Sequence, residues 1–328
     1  MQNKQITIAV GVNDRTLPLL AGLVEIEDVD ASYVTAPLEE IFARAFDDQA
    51  YDVTELSFSN HLYLTAIGES PYIGLPIFPS RSFRHSAIYI RSDRGISSPR
   101  DLIRRTVGVR EYSMTAALVA RGILEDEYGV SAQAINWRTG PADSKDSQPI
   151  ARMLPKGVPL TPIYSKANLS DMLRDGELDA MIAYKPPPAF TENEPHVQRL
   201  FENPAAVEMD YARRTGLFPI MHLIGVRRDL ARERPDLLVK LCAGFNKAQR
   251  YSFDRLSQMQ ALYTMLPWGA QDTECARKIL GDDFWGYGLE RNRRALEALC
   301  RYSFVQGISP RQLSPEELFA NETRDWIG

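Results

Sequence analysis

The first sixty residues alternate between short apolar strands and a helix, and this order restricts the folds open to the chain. Strand-like segments at Ile6 to Val10 and Tyr51 to Leu56 flank a helical stretch from Leu38 to Asp47. Two strands that are joined through a helix usually lie parallel in one sheet. The order therefore predicts an α/β fold built on a parallel sheet.

The chain is long enough for two lobes of this kind. A single small core does not organise 328 residues, and a hydrophobic content of 44% is sufficient for two cores. A second unit begins with a strand at Thr106 to Val109 and a helix from Ser113 to Tyr128, where Gly129 ends it. Residues 139–163 lack periodicity and predict a long surface loop. We expect lobe I, with the C-terminal helices, from residues 1–92 and 205–328, and lobe II from residues 93–204.

Composition and charge exclude several classes of function. A net charge of −5 provides no global positive field for nucleic acid, so local arginines must hold any anionic ligand. No apolar stretch reaches the roughly eighteen residues that a membrane-spanning helix needs. The N-terminus enters a strand without a leader pattern, and the three cysteines lack a close pair. We therefore expect a cytoplasmic protein without a disulfide frame or zinc ribbon.

Two arginines and a histidine follow a strongly apolar strand in the segment from Pro76 to Arg91. They are Arg81, Arg84 and His85. A guanidinium can grip a carboxylate through two parallel hydrogen bonds, and an imidazole can exchange protons near neutral pH. The combination predicts a recessed site that binds an acid and acts on it. The alternative interpretation is that the arginines are solvated charges and His85 is a core residue.

Short motifs along nearly the whole chain are similar to those of one known family. They include Asp14-Arg15-Thr16, Phe42 to Phe46, Ser80 to His85, Tyr128-Gly129-Val130, Arg213 to Gly216, Phe218 to Leu223, and Phe284-Trp285 with Tyr287-Gly288. In order and spacing, these motifs resemble the 4,5-dihydroxyphthalate decarboxylase family. The resemblance implies the two-lobed α/β fold of type II periplasmic binding proteins, with an interlobe ligand cleft.

The resemblance also implies an activity, that of a carboxy-lyase without a cofactor. A hydroxylated aromatic dicarboxylate such as 4,5-dihydroxyphthalate would lose CO2 to give 3,4-dihydroxybenzoate. Arginines would hold the carboxylates while the ring carbon that loses CO2 is protonated. The expected partner is thus a small aromatic carboxylate, and neither nucleic acid nor a membrane is expected. The family suggests a homo-oligomer, although the C-terminal helices could equally pack within one chain.

Candidates for gripping a carboxylate follow from this chemistry. Asp14 and Arg15 come directly after the first strand, and ligands of open α/β sheets collect outside the carboxyl ends of the strands. Arg15 is therefore the first candidate, and Arg81 and Arg84 are the next. A helix cap with an adjacent surface charge is the alternative interpretation of Asp14 and Arg15.

The predicted catalytic residues are His85, His222, Glu55 and Asp14. His85 is the leading candidate for proton transfer, and its role as acid or base stays open. His222 lies in an otherwise apolar strand and could equally be a core residue. Glu55 could draw the phenolic proton of the substrate, or it could neutralise a nearby arginine.

Further substrate-binding candidates stand at the ends of predicted elements. Ser113 and Thr115 open a helix whose free N–H groups favour an anion, although Ser113 could simply cap that helix. Lys185 follows the last strand of lobe II, where it could add positive charge or face solvent. The set comprises Ser59, Asn60, Tyr112, Ser113, Thr115, Tyr184 and Lys185.

Three alternatives to a metal-free decarboxylase stay open at this stage. The side chains of His85, His222, Asp14 and Glu55 could bind a divalent metal ion, but no local ligand spacing favours it. A non-catalytic binding protein for a small carboxylate fits the fold, and the missing export signal argues against it. A cytoplasmic enzyme or sensor for another carboxylate is the third alternative.

Overall fold

The computed structural model of the chain describes residues 5–146, 153–164 and 167–328. These residues form two compact units, and each unit is described by itself. Unit 1 contains the chain up to Arg81 together with Ala212–Glu297 and Leu313–Gly328, and unit 2 contains Ser82–Tyr211 and Ala298–Gln312.

The unit boundaries differ from the predicted lobe boundaries in three places. The chain enters unit 2 at Ser82, before the predicted boundary at 92/93, because the strand Ile88–Arg91 pairs with two other strands of unit 2. Residues 205–211 and 298–312 are also predicted for lobe I but belong to unit 2. Within residues 298–312, the Gln306 side chain accepts a hydrogen bond from Arg121 of unit 2.

Strands and helices alternate along most of the described chain. The strands are β1 (Ile6–Ala9), β2 (Ala31–Val34), β3 (Val53–Ser57), β4 (Tyr72–Arg81), β5 (Ile88–Arg91), β6 (Thr106–Val109), β7 (Asn136–Thr139), β8 (Leu160–Pro162), β9 (Ala180–Ile182), β10 (Val197–Arg199) and β11 (Ile220–Arg227). The α-helices are α1 (Leu17–Leu20), α2 (Leu38–Asp48), α3 (Phe58–Ala66), α4 (Thr115–Tyr128), α5 (Leu169–Asp175), α6 (Pro188–Thr191), α7 (Pro204–Thr215), α8 (Arg228–Glu233), α9 (Pro235–Phe253), α10 (Gly269–Leu280) and α11 (Arg293–Val305). None of the helices in the described ranges has the length and apolar character needed to cross a membrane.

Unit 1 is built on a sheet with the strand order β2-β1-β3-β11-β4. β1 pairs in parallel with β2 and β3, which confirms the prediction from the strand and helix order. β11 runs antiparallel to both β3 and β4. The carboxyl ends of β1, β3 and β4 and the beginning of β11 therefore lie along one edge of this sheet, called the site edge below.

β4 is the last strand of this sheet, and its sequence suits that position. Pro76 and Pro79 have no N–H group to donate, and proline is tolerated mainly on such outer strands. Carbonyl groups of β4 accept hydrogen bonds from the segment 285–288 instead. Gly288 N–H donates to Pro76 O over 2.9 Å, and Trp285 Nε1 donates to Phe78 O over 3.1 Å. These bonds hold the segment against the end of β4.

Unit 2 is built on a second sheet with the order β10-β5-β9-β6-β7-β8. The pairs β6 with β7, β6 with β9 and β7 with β8 are parallel, whereas β5 is antiparallel to β9 and β10. The helix α4 follows β6 and ends at Gly129 as predicted, with a left-handed φ of 70° that favours glycine. The N-cap position of α4 is occupied by Met114, so the alternative interpretation of Ser113 as a simple helix cap does not hold.

The predicted loop at 139–163 is only partly confirmed. Its first residue, Thr139, ends β7, and β8 lies near its end and pairs with β7. A strand of three residues offers too short a pattern to be recognised in a polar, proline-containing sequence. Residues 147–152 of the predicted loop lie outside the described residues.

Candidate functional site

Five of the predicted site residues come from the site edge of unit 1. Asp14 and Arg15 lie in the loop after β1, Glu55 lies in β3, Arg81 ends β4, and His222 lies near the beginning of β11. They come from four separate stretches of sequence, and the pairing of β3, β11 and β4 aligns three of these stretches.

Glu55 and His222 form a hydrogen-bonded pair on one face of the sheet. In the antiparallel register, Ile224 lies opposite Glu55 and His222 lies opposite Ser57, so the two side chains are diagonal neighbours. Glu55 Oε1 accepts a hydrogen bond from His222 Nδ1 over 2.7 Å, and Oε2 accepts one from Gly11 N–H over 2.9 Å. The carboxylate thus fixes the proton of the imidazole on Nδ1 and the orientation of the ring.

The imidazole of His222 packs against an aromatic ring and stays partly exposed to solvent. The ring of Phe42 meets it edge to face, with 4.9 Å between the ring centroids. The side chain of His222 stays 17% exposed, whereas that of Glu55 is 1% exposed. An oriented imidazole that keeps some access to solvent can exchange a proton with a bound molecule through Nε2.

The loop after β1 is held by its own side chains. Asn13 Oδ1 accepts hydrogen bonds from the N–H groups of Arg15 and Thr16 over 3.0 and 3.2 Å. Thr16 Oγ1 donates to Gly11 O over 2.6 Å. A Cβ atom on Gly11 would lie 2.9 Å from a Leu38 side-chain carbon, which explains the glycine beside Glu55. The backbone that carries Arg15 is therefore well defined.

Arg15 is fixed on three sides. Its Nε donates to Pro79 O over 3.0 Å, its Nη1 pairs with Asp14, and its guanidinium carbon lies 4.5 Å from the ring centroid of Trp285. Stacking on an aromatic face orients a guanidinium without neutralising its charge. The bonds that the structure describes for Arg15 use Nε and Nη1, which leaves Nη2 for a further anion.

Arg81 is bonded mainly to the protein itself. Its Nη1 donates to Phe218 O over 3.1 Å, and its Nη2 donates to Gly286 O over 3.3 Å and to Asn292 Oδ1. Burial lowers the pKa of Arg81 to about 10, because the charged form loses its hydration. These contacts favour a role in positioning the segment around Gly286 over direct contact with a carboxylate.

Replacing Arg81 with methionine is expected to destabilise the protein by about 1–3 kcal/mol. The change removes the donor for Phe218 O and for Asn292 Oδ1, and it removes one of the two donors for Gly286 O, which Asn292 Nδ2 still reaches. Urea unfolding measures the loss. Arg294→Met is the control, because Arg294 is exposed, and it should change the stability by less than about 0.5 kcal/mol. A stable Arg81→Met variant that binds substrate poorly would instead indicate a direct carboxylate contact.

Tyr287 is a residue that the sequence did not single out for the site. Its side chain is buried, and burial raises its pKa, so the hydroxyl stays protonated. The charges of Arg15 and Arg81 oppose this shift, while those of Glu55 and Asp14 add to it. The phenol therefore lies within electrostatic range of four charged residues of the site edge. The aromatic cluster with Trp285 was the available signal for it.

His85 and Arg84 lie in unit 2. His85 begins a 3₁₀ helix and is buried, with Phe201 and Tyr211 edge to face against its ring at centroid distances of 5.5 and 5.1 Å. Burial lowers the pKa of Arg84 to about 10, and the charge of Glu208 opposes that shift. The pair of Glu55 and His222 in unit 1 thus does not include His85, the leading sequence candidate.

The other predicted substrate-binding residues have varied environments. Ser59 is buried and Asn60 is partly buried in α3 of unit 1. In unit 2, Tyr112 is a core residue, because its hydroxyl donates to Gln306 O over 3.0 Å and its ring stacks on Arg121. Ser113 and Thr115 are buried at the start of α4. Tyr184 is partly buried after β9, and Lys185 is exposed, with its Nζ 5.2 Å from the Tyr184 ring centroid.

The proposed metal ligands come from both units. His85 belongs to unit 2, whereas Asp14, Glu55 and His222 belong to unit 1. Within residues 5–146, 153–164 and 167–328, no three histidine, cysteine or acidic side chains are arranged to hold a metal ion.

Comparison with known proteins identifies the family. No family model matches the chain. The chain is 42% identical over 320 residues to 4,5-dihydroxyphthalate decarboxylase from Comamonas testosteroni, and the alignment covers 97% of each chain. This chain belongs to the 4,5-dihydroxyphthalate decarboxylase family. It is also 42% identical over 214 residues to the enzyme of the same name from Pseudomonas putida, with 65% of this chain and 83% of the relative covered.

The fold is shared with solved binding proteins. The periplasmic aliphatic sulphonate binding protein SsuA from Escherichia coli superposes with a TM-score of 0.55 at 12% sequence identity, over 97% of this chain and 98% of the other. At this identity, the likeness concerns the fold alone. The predictions of the decarboxylase family and of a periplasmic-binding-protein-like α/β fold are both confirmed.

Proposed function

We propose that this member of the decarboxylase family removes CO2 from 4,5-dihydroxyphthalate and forms 3,4-dihydroxybenzoate, without an organic cofactor or a metal. The family relationship supports the reaction class and the substrate. The observation that carries the site assignment is the hydrogen bond between Glu55 and His222 at the sheet edge where Arg15 also lies. An oriented imidazole and a stacked guanidinium are the two groups that this reaction needs.

Arg15 binds a carboxylate of the substrate in this proposal. Its guanidinium is already oriented by Trp285 and by Pro79 O, so little side-chain entropy is lost on binding. A charge-assisted contact of this kind contributes roughly 1.5–3 kcal/mol. Asp14 holds the other side of the guanidinium and limits the directions from which an anion can approach.

His222 donates the proton that replaces CO2. The proton moves from Nε2 to the ring carbon that bears the leaving carboxylate, while the para-hydroxyl oxygen supplies electron density to the ring. The bond between that carbon and the carboxylate then breaks, its electron pair restores the aromatic ring, and CO2 leaves. Glu55 stabilises the charged imidazole, and solvent returns the proton that each turnover consumes.

Glu55 supports His222 in this scheme and does not act on the phenol. Both of its oxygen atoms already accept hydrogen bonds, one from the imidazole and one from Gly11 N–H. This assignment replaces the earlier expectation that Glu55 draws the phenolic proton. Tyr287 contributes a neutral hydroxyl near the same charges, which suits it to donate a hydrogen bond to a substrate oxygen.

The first test is CO2 release from 4,5-dihydroxyphthalate by the purified protein, with and without a chelator. We expect release that the chelator does not reduce. Loss of release with the chelator, restored by added metal, would contradict the metal-free reaction. Binding of the dicarboxylate without release of CO2 would instead favour a non-catalytic binding protein. Binding is the function in the name of the sulphonate binding protein that shares this fold.

The same assay tests the role of Arg15. Arg15→Gln is expected to raise KM about 10- to 100-fold, which corresponds to losing one charge-assisted contact of roughly 1.5–3 kcal/mol. Arg44→Gln is the control, since Arg44 is an exposed arginine of α2 and should leave KM unchanged. An unchanged KM for Arg15→Gln would exclude Arg15 as the carboxylate anchor.

A further inference from the structure

A cavity of about 600 Å³ lies in unit 1 beside the start of α11. Its wall includes the end of β4, Gly216 and Phe218, several residues between 280 and 286, and the first residues of α11. Binding sites for small molecules usually measure about 300–1,000 Å³. The cavity therefore has the size of such a site, and no step of the proposed reaction uses it.

Two arginines of the cavity wall lack an acidic partner. They are Arg81 at the end of β4 and Arg294 in the first turn of α11, and the ion pairs of the described residues include neither of them. Arg81 is 9% exposed, and its buried Nε has no hydrogen-bond acceptor within the described part of the chain. Buried charges in proteins are normally paired. The guanidinium of Arg81 is therefore not fully satisfied by the protein itself.

The two guanidinium groups lie along one short stretch of the cavity wall. Arg81 Nη1 donates to Phe218 O over 3.1 Å. A Cβ atom on Gly216 would lie 3.7 Å from Arg294 Nη1. The Cα atoms of Gly216 and Phe218 can be at most about 7 Å apart, because only two residue steps separate them. Both positive groups thus border the same part of the cavity.

The acidic side chains of the wall are paired with other arginines. The pairs are Glu290 with Arg293, Glu297 with Arg293, and Asp283 with Arg291. The first turn of α11, which also lines the cavity, contains no acidic residue, and the positive end of a helix dipole favours an anion. Four arginines and three acidic residues line the cavity, so its wall has an excess of positive charge.

One acidic oxygen atom of the wall has no hydrogen-bond donor. Asp283 Oδ2 pairs with Arg250 and Arg291, whereas Asp283 Oδ1 is buried without a donor among the residues that the structure describes. A carboxylate oxygen repels an anion that has no proton, but it accepts a hydrogen bond from an anion that has a hydroxyl group. At neutral pH, inorganic phosphate keeps a proton and sulfate does not. The wall therefore favours an oxyanion that carries a proton.

We propose that this cavity binds a protonated phosphate group, as inorganic phosphate or as a small phosphate ester. Arg81 and Arg294 donate hydrogen bonds to the phosphate oxygens, and Asp283 Oδ1 accepts one from the phosphate hydroxyl. The oxygens of a phosphate point in several directions, which suits donors from β4 and α11 better than a planar carboxylate does. Phe218 and Phe284 also line the cavity and can contact the body of an ester. The proposal does not depend on the proposed reaction.

The test is calorimetric titration of the full chain with inorganic phosphate, with phenyl phosphate and with sulfate, at neutral pH and constant ionic strength. We expect phosphate to bind with a Kd of about 1 mM or lower and sulfate to bind about 10-fold more weakly or less. Tighter binding of phenyl phosphate than of inorganic phosphate would identify an ester as the ligand, and weaker binding would identify inorganic phosphate. Absence of binding by both phosphates, or equal binding of sulfate, would overturn the proposal.

Variants locate the bound phosphate. Arg294→Gln should weaken phosphate binding about 10-fold through the loss of one charge-assisted contact. Asp283→Asn should let sulfate bind about as well as phosphate, because an amide can donate a hydrogen bond to either anion. Arg15→Gln and Arg44→Gln are the controls and should bind phosphate as the unmodified protein does. Weaker binding in Arg15→Gln, with Arg294→Gln unaffected, would place the phosphate at the substrate site and contradict a separate phosphate site.

Discussion

His222→Gln is expected to reduce the rate of CO2 release by about 10²- to 10⁴-fold, the usual contribution of a positioned general acid. Glutamine retains a polar side chain beside Glu55 but cannot carry the transferred proton. Substrate affinity should change little, because Arg15 anchors the carboxylate separately. The measurement is kcat and KM for 4,5-dihydroxyphthalate, with substrate affinity determined independently by calorimetry.

Two further variants test which histidine donates the proton and what Glu55 contributes to catalysis. His85→Gln, which alters a residue packed against Phe201 and Tyr211, should retain most of the turnover. Glu55→Gln should lower kcat less than His222→Gln does, because the imidazole stays in place without its stabilising charge. If His85→Gln abolishes release and His222→Gln does not, His85 is the proton donor.

The free energy of unfolding is expected to decrease by on the order of 3 kcal/mol between pH 6.5 and pH 4 because of His61 alone. Burial lowers the pKa of His61 in the folded protein from 6.5 to about 4, and the charge of Arg228 adds to this shift. Below pH 6.5 the unfolded chain binds a proton that the folded protein does not. Stability is therefore full above pH 6.5 and is lost as the pH falls towards about 4.

A short hydrogen bond connects the buried His61 ring to the end of the chain. Nε2 donates to Leu318 O over 3.0 Å, and Nδ1 lies 3.3 Å from Ser70 Oγ, whose own hydroxyl proton is donated to Tyr72 O over 2.8 Å. Urea unfolding of the unmodified protein and of His61→Gln at a series of pH values measures the effect. The difference between the two curves cancels the contribution of other titrating groups. If the free energies of unfolding of the two proteins change with pH in parallel, His61 does not contribute to the loss of stability at low pH.

Local patterns were sufficient to predict much of the secondary structure. The predicted strand at Thr106 to Val109 has the observed bounds of β6, and the helix at Leu38 to Asp47 differs from α2 by one residue. Both elements have regular apolar spacing. Ser113 is a residue type that favours the N-cap, but Met114 takes that position in the backbone of α4. Short strands such as β8 carry too little pattern to be recognised.

The residues of the site edge were predicted individually, but their arrangement was not. The hydrogen bond between Glu55 and His222 depends on the register of β11 against β3, which lie far apart in sequence. The register follows from packing of the whole sheet, and no local pattern encodes it. The sequence could not place Tyr287 near Arg15 either. Hydrogen bonds between residues 285–288 and β4 position Tyr287, and no local pattern encodes them.

The discontinuity of unit 1 has a consequence for synthesis on the ribosome. β1 to β4 emerge first, but their sheet lacks β11 until residues after 220 have followed, and all of Ser82–Tyr211 emerges in between. Gly74 of β4 also bridges to Phe319, close to the Leu318 carbonyl that holds His61. Unit 1 therefore completes its folding only after translation has passed these residues, and until then its early strands depend on protection from aggregation.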